Sequence, residues 1–151
     1  MDKNTKSRKV KVTFSRGGEF IGTMADDLAP KTCQAIWDLL PIEHEVAQCT
    51  NSGSCLWFRL SEEPSFRGME NYEYYGHLPG WMGYDPAIEH VTSKFGTFLL
   101  CYDRHFLSMG YKGPLPLNTV FKIEENLEGL KKVGERIWKE GVEIMRIEKM
   151  E

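Results

Sequence analysis

Between Lys9 and Phe14 apolar and polar residues alternate, with Val10, Val12 and Phe14 on one face and Lys9, Lys11 and Thr13 on the other. A period of two is that of a half-buried strand. Arg16-Gly17-Gly18 interrupts it with two residues that accept positive φ at low cost, and Glu19 to Ala25 reads as the returning strand. The period then changes. In Ala29 to Leu40 the apolar residues Cys33, Ile36, Trp37 and Leu40 fall at i, i+3, i+4 and i+7, one stripe of a helix. Pro30 suits its first turn, where a missing N–H costs nothing, and Pro41 stops it.

Further along, Glu43 to Thr50 and Cys55 to Leu60 read as strands around the turn Asn51-Ser52-Gly53-Ser54. The segment from Ser61 to Ser93 is rich in Gly, Pro and aromatics, with two or three short strands predicted, one near Glu70–Tyr75 and one near Gly83–Tyr84. The continuous apolar run Gly96 to Tyr102 predicts a strand buried on both faces. Arg104 to Pro116 reads as a loop and Leu117 to Glu124 as another strand. Leu127, Leu130, Val133, Ile137 and Trp138 repeat at helical spacing, with Asn126 as N-cap and Gly141 as C-terminal stop, before a last strand from Val142 to Ile147. Strands, helix, strands, helix, strand is the order of a mostly antiparallel β protein with two helices. A small closed barrel capped by the helices hides every strand edge.

A length of 151 residues allows one core: a basic, flexible N-terminus over 1–8 and a single domain over 9–148. The charge of −3 and the mixed signs on the last helix argue against a nucleic-acid partner. No apolar run reaches the ~20 residues of a membrane span, and the N-terminus lacks the apolar stretch of a signal peptide, so a cytoplasmic protein is expected. Cys33, Cys49, Cys55 and Cys101 form no CxxC pair and are read as reduced, mostly buried thiols.

Asp26-Asp27-Leu28-Ala29-Pro30-Lys31-Thr32-Cys33, followed by Leu39-Leu40-Pro41, resembles the strand-to-helix passage near the start of cyclophilin-like proteins. Asn51-Ser52-Gly53, Glu70-Asn71, Leu78-Pro79-Gly80, Leu115-Pro116-Leu117-Asn118 and Leu127-Glu128-Gly129-Leu130 are similar, in that order, to a prokaryotic cyclophilin-like family of unassigned function, domain of unknown function 3830. The resemblance runs from about residue 9 to 148 and implies an eight-stranded barrel with two helices. Cyclophilins isomerise prolyl bonds with a strand reading roughly Phe-His-Arg. Here the corresponding strand is Val46-Ala47-Gln48-Cys49-Thr50, so the fold is implied without the activity.

Candidate chemistry follows from residue type. Glu70 precedes a tyrosine-rich stretch, where desolvation would raise a carboxyl toward general-base duty. Arg59 and Arg104 stand at strand ends among Trp57, Phe58 and Tyr102, placed to fork a carboxylate. Ser52 and Asn118 are candidate donors to a substrate carbonyl, Asn51 with Ser52 presents polar groups at the barrel face, and Tyr75 and Tyr84, with Tyr72, Tyr74 and Trp81, are a candidate pocket wall. The four histidines are scattered, so neither a metal nor a cofactor is expected; the nearest approach to a ligand set is His77, Glu89 and His90. Three readings follow. One is a pocket on the barrel face for a small polar carbonyl or carboxylate metabolite, with Glu70 and Arg104 as catalytic pair if it is an enzyme. The second is a peptide- or proline-binding module with weak or no isomerase activity. The third is a homo-oligomer paired through strand edges or exposed aromatics.

Overall fold

The computed structural model describes residues 6–50, 52–73, 78–86, 95–107, 109–110 and 113–151. β1 (Lys9–Phe14) and β2 (Glu19–Met24) form the opening hairpin, turned by Gly17 and Gly18 at φ 112° and 116°. α1 (Pro30–Leu39) follows, then β3 (Ile42–Gln48), β4 (Gly53–Arg59), β5 (Trp81–Asp85) and β6 (Thr97–Phe106). A two-stranded ribbon of β7 (Met109–Gly110) and β8 (Gly113–Pro114) precedes β9 (Asn118–Ile123), α2 (Leu127–Glu140) and β10 (Glu143–Lys149). Eight strands close into a barrel in the order β1-β10-β3-β4-β6-β5-β9-β2, every neighbouring pair antiparallel. The mostly-β class with two helices and the closed barrel are as expected from the element order. No helix among the described residues is long and apolar enough to cross a membrane.

The barrel interior is filled by alternate positions: Val10, Val12 and Phe14 of β1, Phe98, Leu100 and Tyr102 of β6, Met145 and Ile147 of β10. Each such side chain contributes about 1.5–3 kcal/mol by leaving water. The other face of β6 is also covered, because Leu99 joins Cys49, Cys55 and Leu117 in a second cluster against Trp57. That is why the run from Gly96 reads as continuously apolar. All four cysteines are free and buried. Burial pushes the Cys33 and Cys101 thiols up to about 12, so they are protonated at neutral pH.

Three expectations are corrected. No strand forms in the described part of 70–75; one bridge pairs Glu73 with Leu117. The Asn118 side chain takes the Glu70 and Asn71 amides there instead. β6 runs on to Phe106, into the segment read as loop. Third, the apolar repeat of the last helix is not one buried face, since its members Trp138 and Leu127 are 64% and 36% exposed. At about 100° per residue both lie roughly 60–80° to one side of Leu130, off the stripe of Leu130, Val133 and Ile137 that meets the barrel. Before β1, Arg8 pairs with Asp26, bonds Gln34 at 2.9 Å and lies over the Trp37 ring at 4.8 Å.

α2 packs on β3, β4 and β6 through Gly134, laid against the Tyr102 ring. A Cβ at this glycine would stand 2.2–2.5 Å from three ring carbons. The ring is held, since the Tyr102 hydroxyl donates to Gln48 Oε1 at 2.6 Å. Gly134→Ala sets about 1 kcal/mol of helix propensity against about 3 kcal/mol of overpacking. A net loss of about 2 kcal/mol is expected, a fall in Tm of roughly 4–8 °C for a chain of this size. Thermal denaturation by circular dichroism reads it, and a higher Tm would contradict the packing.

Candidate functional site

Two places gather the residues singled out by sequence, and they differ in kind. The first is a buried polar knot between α1, β9 and the loop before Glu73. Asn118, wholly buried, accepts the Glu70 and Asn71 amides on Oδ1 at 2.7 and 3.4 Å. Its Nδ2 donates to Thr32 Oγ1 at 3.0 Å and to the Gly68 carbonyl at 2.8 Å. Asn71 in turn accepts the Thr119 amide at 2.9 Å and donates to Thr119 Oγ1 at 2.9 Å. Glu70 completes the knot. Ala29, the N-cap of α1, has no side-chain cap, and the Glu70 carboxylate stands in for one. Oε1 accepts the Thr32 amide at 2.6 Å and Oε2 the Lys31 amide at 3.2 Å. A carboxylate there satisfies orphan amides and opposes the positive end of the helix dipole. Glu70 and Asn118 are thus neighbours, and their polar atoms are engaged by the protein's own backbone and side chains.

The second place is the mouth of the barrel under α2. Along β6 the inward-facing row Phe98, Leu100, Tyr102 runs out at the rim, and the next position of that row is Arg104. There a cavity of about 740 Å³ opens, within the range of small-molecule sites. Leu78, Pro79, Trp81 and Leu127 give it an apolar wall, and Asp103, Arg104, Glu124, Glu128 and Lys131 a charged rim. Gly80 sets the wall's position. It sits at φ 92°, donates to the Cys101 carbonyl at 2.8 Å and receives the Ile123 amide at 2.8 Å. A Cβ on it would be 2.0 Å from the Ile123 carbonyl oxygen, so only glycine permits this approach. Asn126, at φ 56°, caps α2 by accepting the Gly129 amide at 3.2 Å. Lys122 lies 4.0 Å from the centre of the Trp81 ring. Tyr102 at the floor has its phenol pushed up to about 12 by burial, so it stays a neutral donor.

Charges at the rim are unevenly paired. Asp103 accepts the Arg104 amide at 2.8 Å and pairs with Lys131 at 3.7 Å. The exposed Arg104 guanidinium has no carboxylate partner among the described residues.

The remaining candidates are dispersed. Arg59 is exposed on β4 with its guanidinium 5.2 Å from the Trp57 ring centre, away from Arg104's cavity. Ser52 is buried, and its Oγ accepts the Met109 amide at 3.2 Å, which ties β7 to the start of β4. Tyr84 is not a pocket wall. It lies inside the barrel, fully buried, 5.3 Å from Phe98, with its hydroxyl donating to the Phe95 carbonyl at 2.7 Å. The alternation of β5 explains this, since Tyr84 and Met82 share the inward face. Asn51, Tyr74, Tyr75, His77, Glu89 and His90 lie outside the described residues. Sequence reasoning missed Glu128 and Lys131 because mixed charges on a helix read as a solvated face, and Glu124 because it reads as the last residue of a strand. The signal available was the pair Leu78-Pro79-Gly80 and Leu127-Glu128-Gly129-Leu130, whose leading residues both line this cavity.

The sequence pattern of a family described as Protein of unknown function (DUF3830) matches residues 12–149. The chain belongs to the DUF3830 family. Its closed eight-stranded barrel with two helices fits the cyclophilin-like arrangement that the sequence resemblance implies. No curated protein matches this DUF3830 member in sequence. Among solved structures it is similar to McbB in complex with tryptophan, at 15% identity and TM-score 0.64, over 92% of this chain and 44% of that one. The chain therefore spans less than half the length of McbB. It is also similar to the hypothetical protein AF2241 from Archaeoglobus fulgidus, at 19% identity and TM-score 0.64, over 99% of this chain and 100% of that one. At these identities both likenesses concern the fold.

Proposed function

We propose that this protein binds a small carboxylate-bearing metabolite at the barrel mouth, with Arg104 as its anchor. One observation carries the reading: an exposed guanidinium without a carboxylate partner among the described residues, at the rim of a cavity walled by Trp81 and aliphatic side chains. A guanidinium offers a planar fork that matches a carboxylate, and an apolar wall beside it supplies area for the rest of a ligand. The likeness to McbB, solved in complex with tryptophan, supports the same class of ligand. The role proposed is binding. The Glu70 carboxylate is held on the amides of α1, and Glu70 is not in the lining that contains Arg104.

Thermal denaturation in the presence of L-tryptophan, 3-phenylpropionate, benzoate and an Xaa-Pro peptide tests this. A carboxylate at about 100 times its Kd is expected to add about 2.7 kcal/mol, a rise in Tm of roughly 5–10 °C. Arg104→Ala is expected to abolish the rise and leave the unliganded Tm within about 1 °C, since the residue is exposed. A panel without any carboxylate-induced rise sinks the proposal. A rise with the Xaa-Pro peptide alone, retained in Arg104→Ala, transfers the reading to a peptide-binding module.

A further inference from the structure

The cavity at the barrel mouth carries both signs of charge in one lining. Arg104 and Lys131 stand against Asp103, Glu124 and Glu128. Lys131 and Asp103 pair with each other, which leaves one guanidinium and two exposed carboxylates with no ion-pair partner among the described residues. A ligand with only a negative charge would gain from Arg104 and lose against Glu124 and Glu128, since at equal distance like charges repel as strongly as unlike ones attract. A ligand with only a positive charge meets the converse. Unpaired charges of both signs beside Leu78, Trp81 and Leu127 suit a molecule with a carboxylate, an amine and an apolar body.

We infer that the ligand class of this site is a zwitterion, a free α-amino acid with an aromatic or aliphatic side chain. Its carboxylate sits on Arg104, its ammonium on Glu124 and Glu128, and its side chain on the Leu78–Trp81–Leu127 wall. This rests on the carboxylate site proposed above and adds the second pole. The position of the acidic pole follows from the fold. Glu124 directly follows β9 and Glu128 is in the first turn of α2, so the short strand-to-helix turn around Asn126 brings both residues into the lining of the mouth.

Isothermal titration calorimetry of the full chain with L-phenylalanine, 3-phenylpropionate and phenethylamine separates the poles. Phenylalanine is expected to bind at least about tenfold more tightly than either single-charge analogue, the gain of a charge-assisted hydrogen bond. In the double variant Glu124→Gln/Glu128→Gln, phenylalanine is expected to fall to the level of 3-phenylpropionate, whose own affinity stays the same or rises. Circular dichroism checks that this variant is folded. Equal affinity for phenylalanine and 3-phenylpropionate in the unmodified protein overturns the zwitterion and leaves the Arg104 carboxylate site standing. An Arg104→Gln variant that binds phenylalanine unchanged, or no heat with any of the three, overturns both.

Discussion

Arg136→Met is expected to cost about 3–4 kcal/mol, more than any exposed substitution in the molecule. The reason is the burial of its partner. Glu143 opens β10 with a side chain wholly out of water, and Arg136 of α2 grips both its oxygens at 2.7 Å. Arg16, in the turn of the first hairpin, adds its backbone amide at 3.0 Å and its guanidinium at 3.2 Å. Methionine would leave a buried carboxylate with half its donors. The converse variant, Glu143→Gln, strands only guanidinium groups that are 26% and 37% exposed and can turn to water, so about 1–2 kcal/mol is expected.

The pH dependence gives a second readout. Burial pushes the Glu143 carboxyl up, but the Arg136 hydrogen bonds, with help from Arg16, outweigh it and hold the group below its ordinary value of 4.5. A depressed folded pKa contributes stability that is complete above the ordinary value and fades as pH falls through the depressed one. Thermal denaturation between pH 7 and pH 3 should therefore show wild-type stability falling only at the acid end. In Arg136→Met burial dominates, the folded pKa rises above the unfolded one, and the difference from wild type should narrow as the pH drops. A constant gap across that range would contradict the assignment.

Asn118→Ala is expected to cost about 3 kcal/mol, a fall in Tm of roughly 6–12 °C, without a specific loss of ligand at the barrel mouth. Alanine would orphan the Glu70 and Asn71 amides, the Gly68 carbonyl and one partner of Thr32 in a buried place. It would also loosen Glu70, and with it the amides of α1 that Glu70 caps. Thermal denaturation measures the first effect, and calorimetry with the carboxylate panel on the folded variant measures the second. A variant of normal Tm that no longer bound any carboxylate would return Asn118 to the role of a substrate donor.

The same residue marks the limit of what residue type tells. An Asn after a proline, a Glu before tyrosines and a Ser in a turn all read as candidates for chemistry, because polar groups at element ends are where ligands are met. In the fold each is spent on the chain itself: Asn118 on a loop, Glu70 on a helix start, Ser52 on the Met109 amide. Sequence cannot distinguish these uses, since a backbone amide and a ligand make the same demand on an oxygen. Tyr84 failed for another reason. Aromatic density suggested a wall, but a barrel of eight strands needs large rings inside, and the alternation of β5 turns Tyr84 inward.

Local periodicity determined the elements: the alternation of Lys9–Phe14, the stripe of α1, the Leu130–Val133–Ile137 stripe of α2, the N-cap Asn126 and the stop at Gly141 all stand where their spacing puts them. These depend on neighbours within one or two turns of chain, and such neighbours are written in the sequence. The class followed too, since the order of elements leaves few ways to hide strand edges. Tertiary structure alone decided which charges meet. Arg104 reaches the same rim as Glu124 and Glu128 only because β6 runs past the barrel edge while β9 turns there into α2. That meeting is a matter of strand order and shear around a closed barrel, joining residues about twenty apart in sequence across a mouth, and no spacing along the chain encodes it.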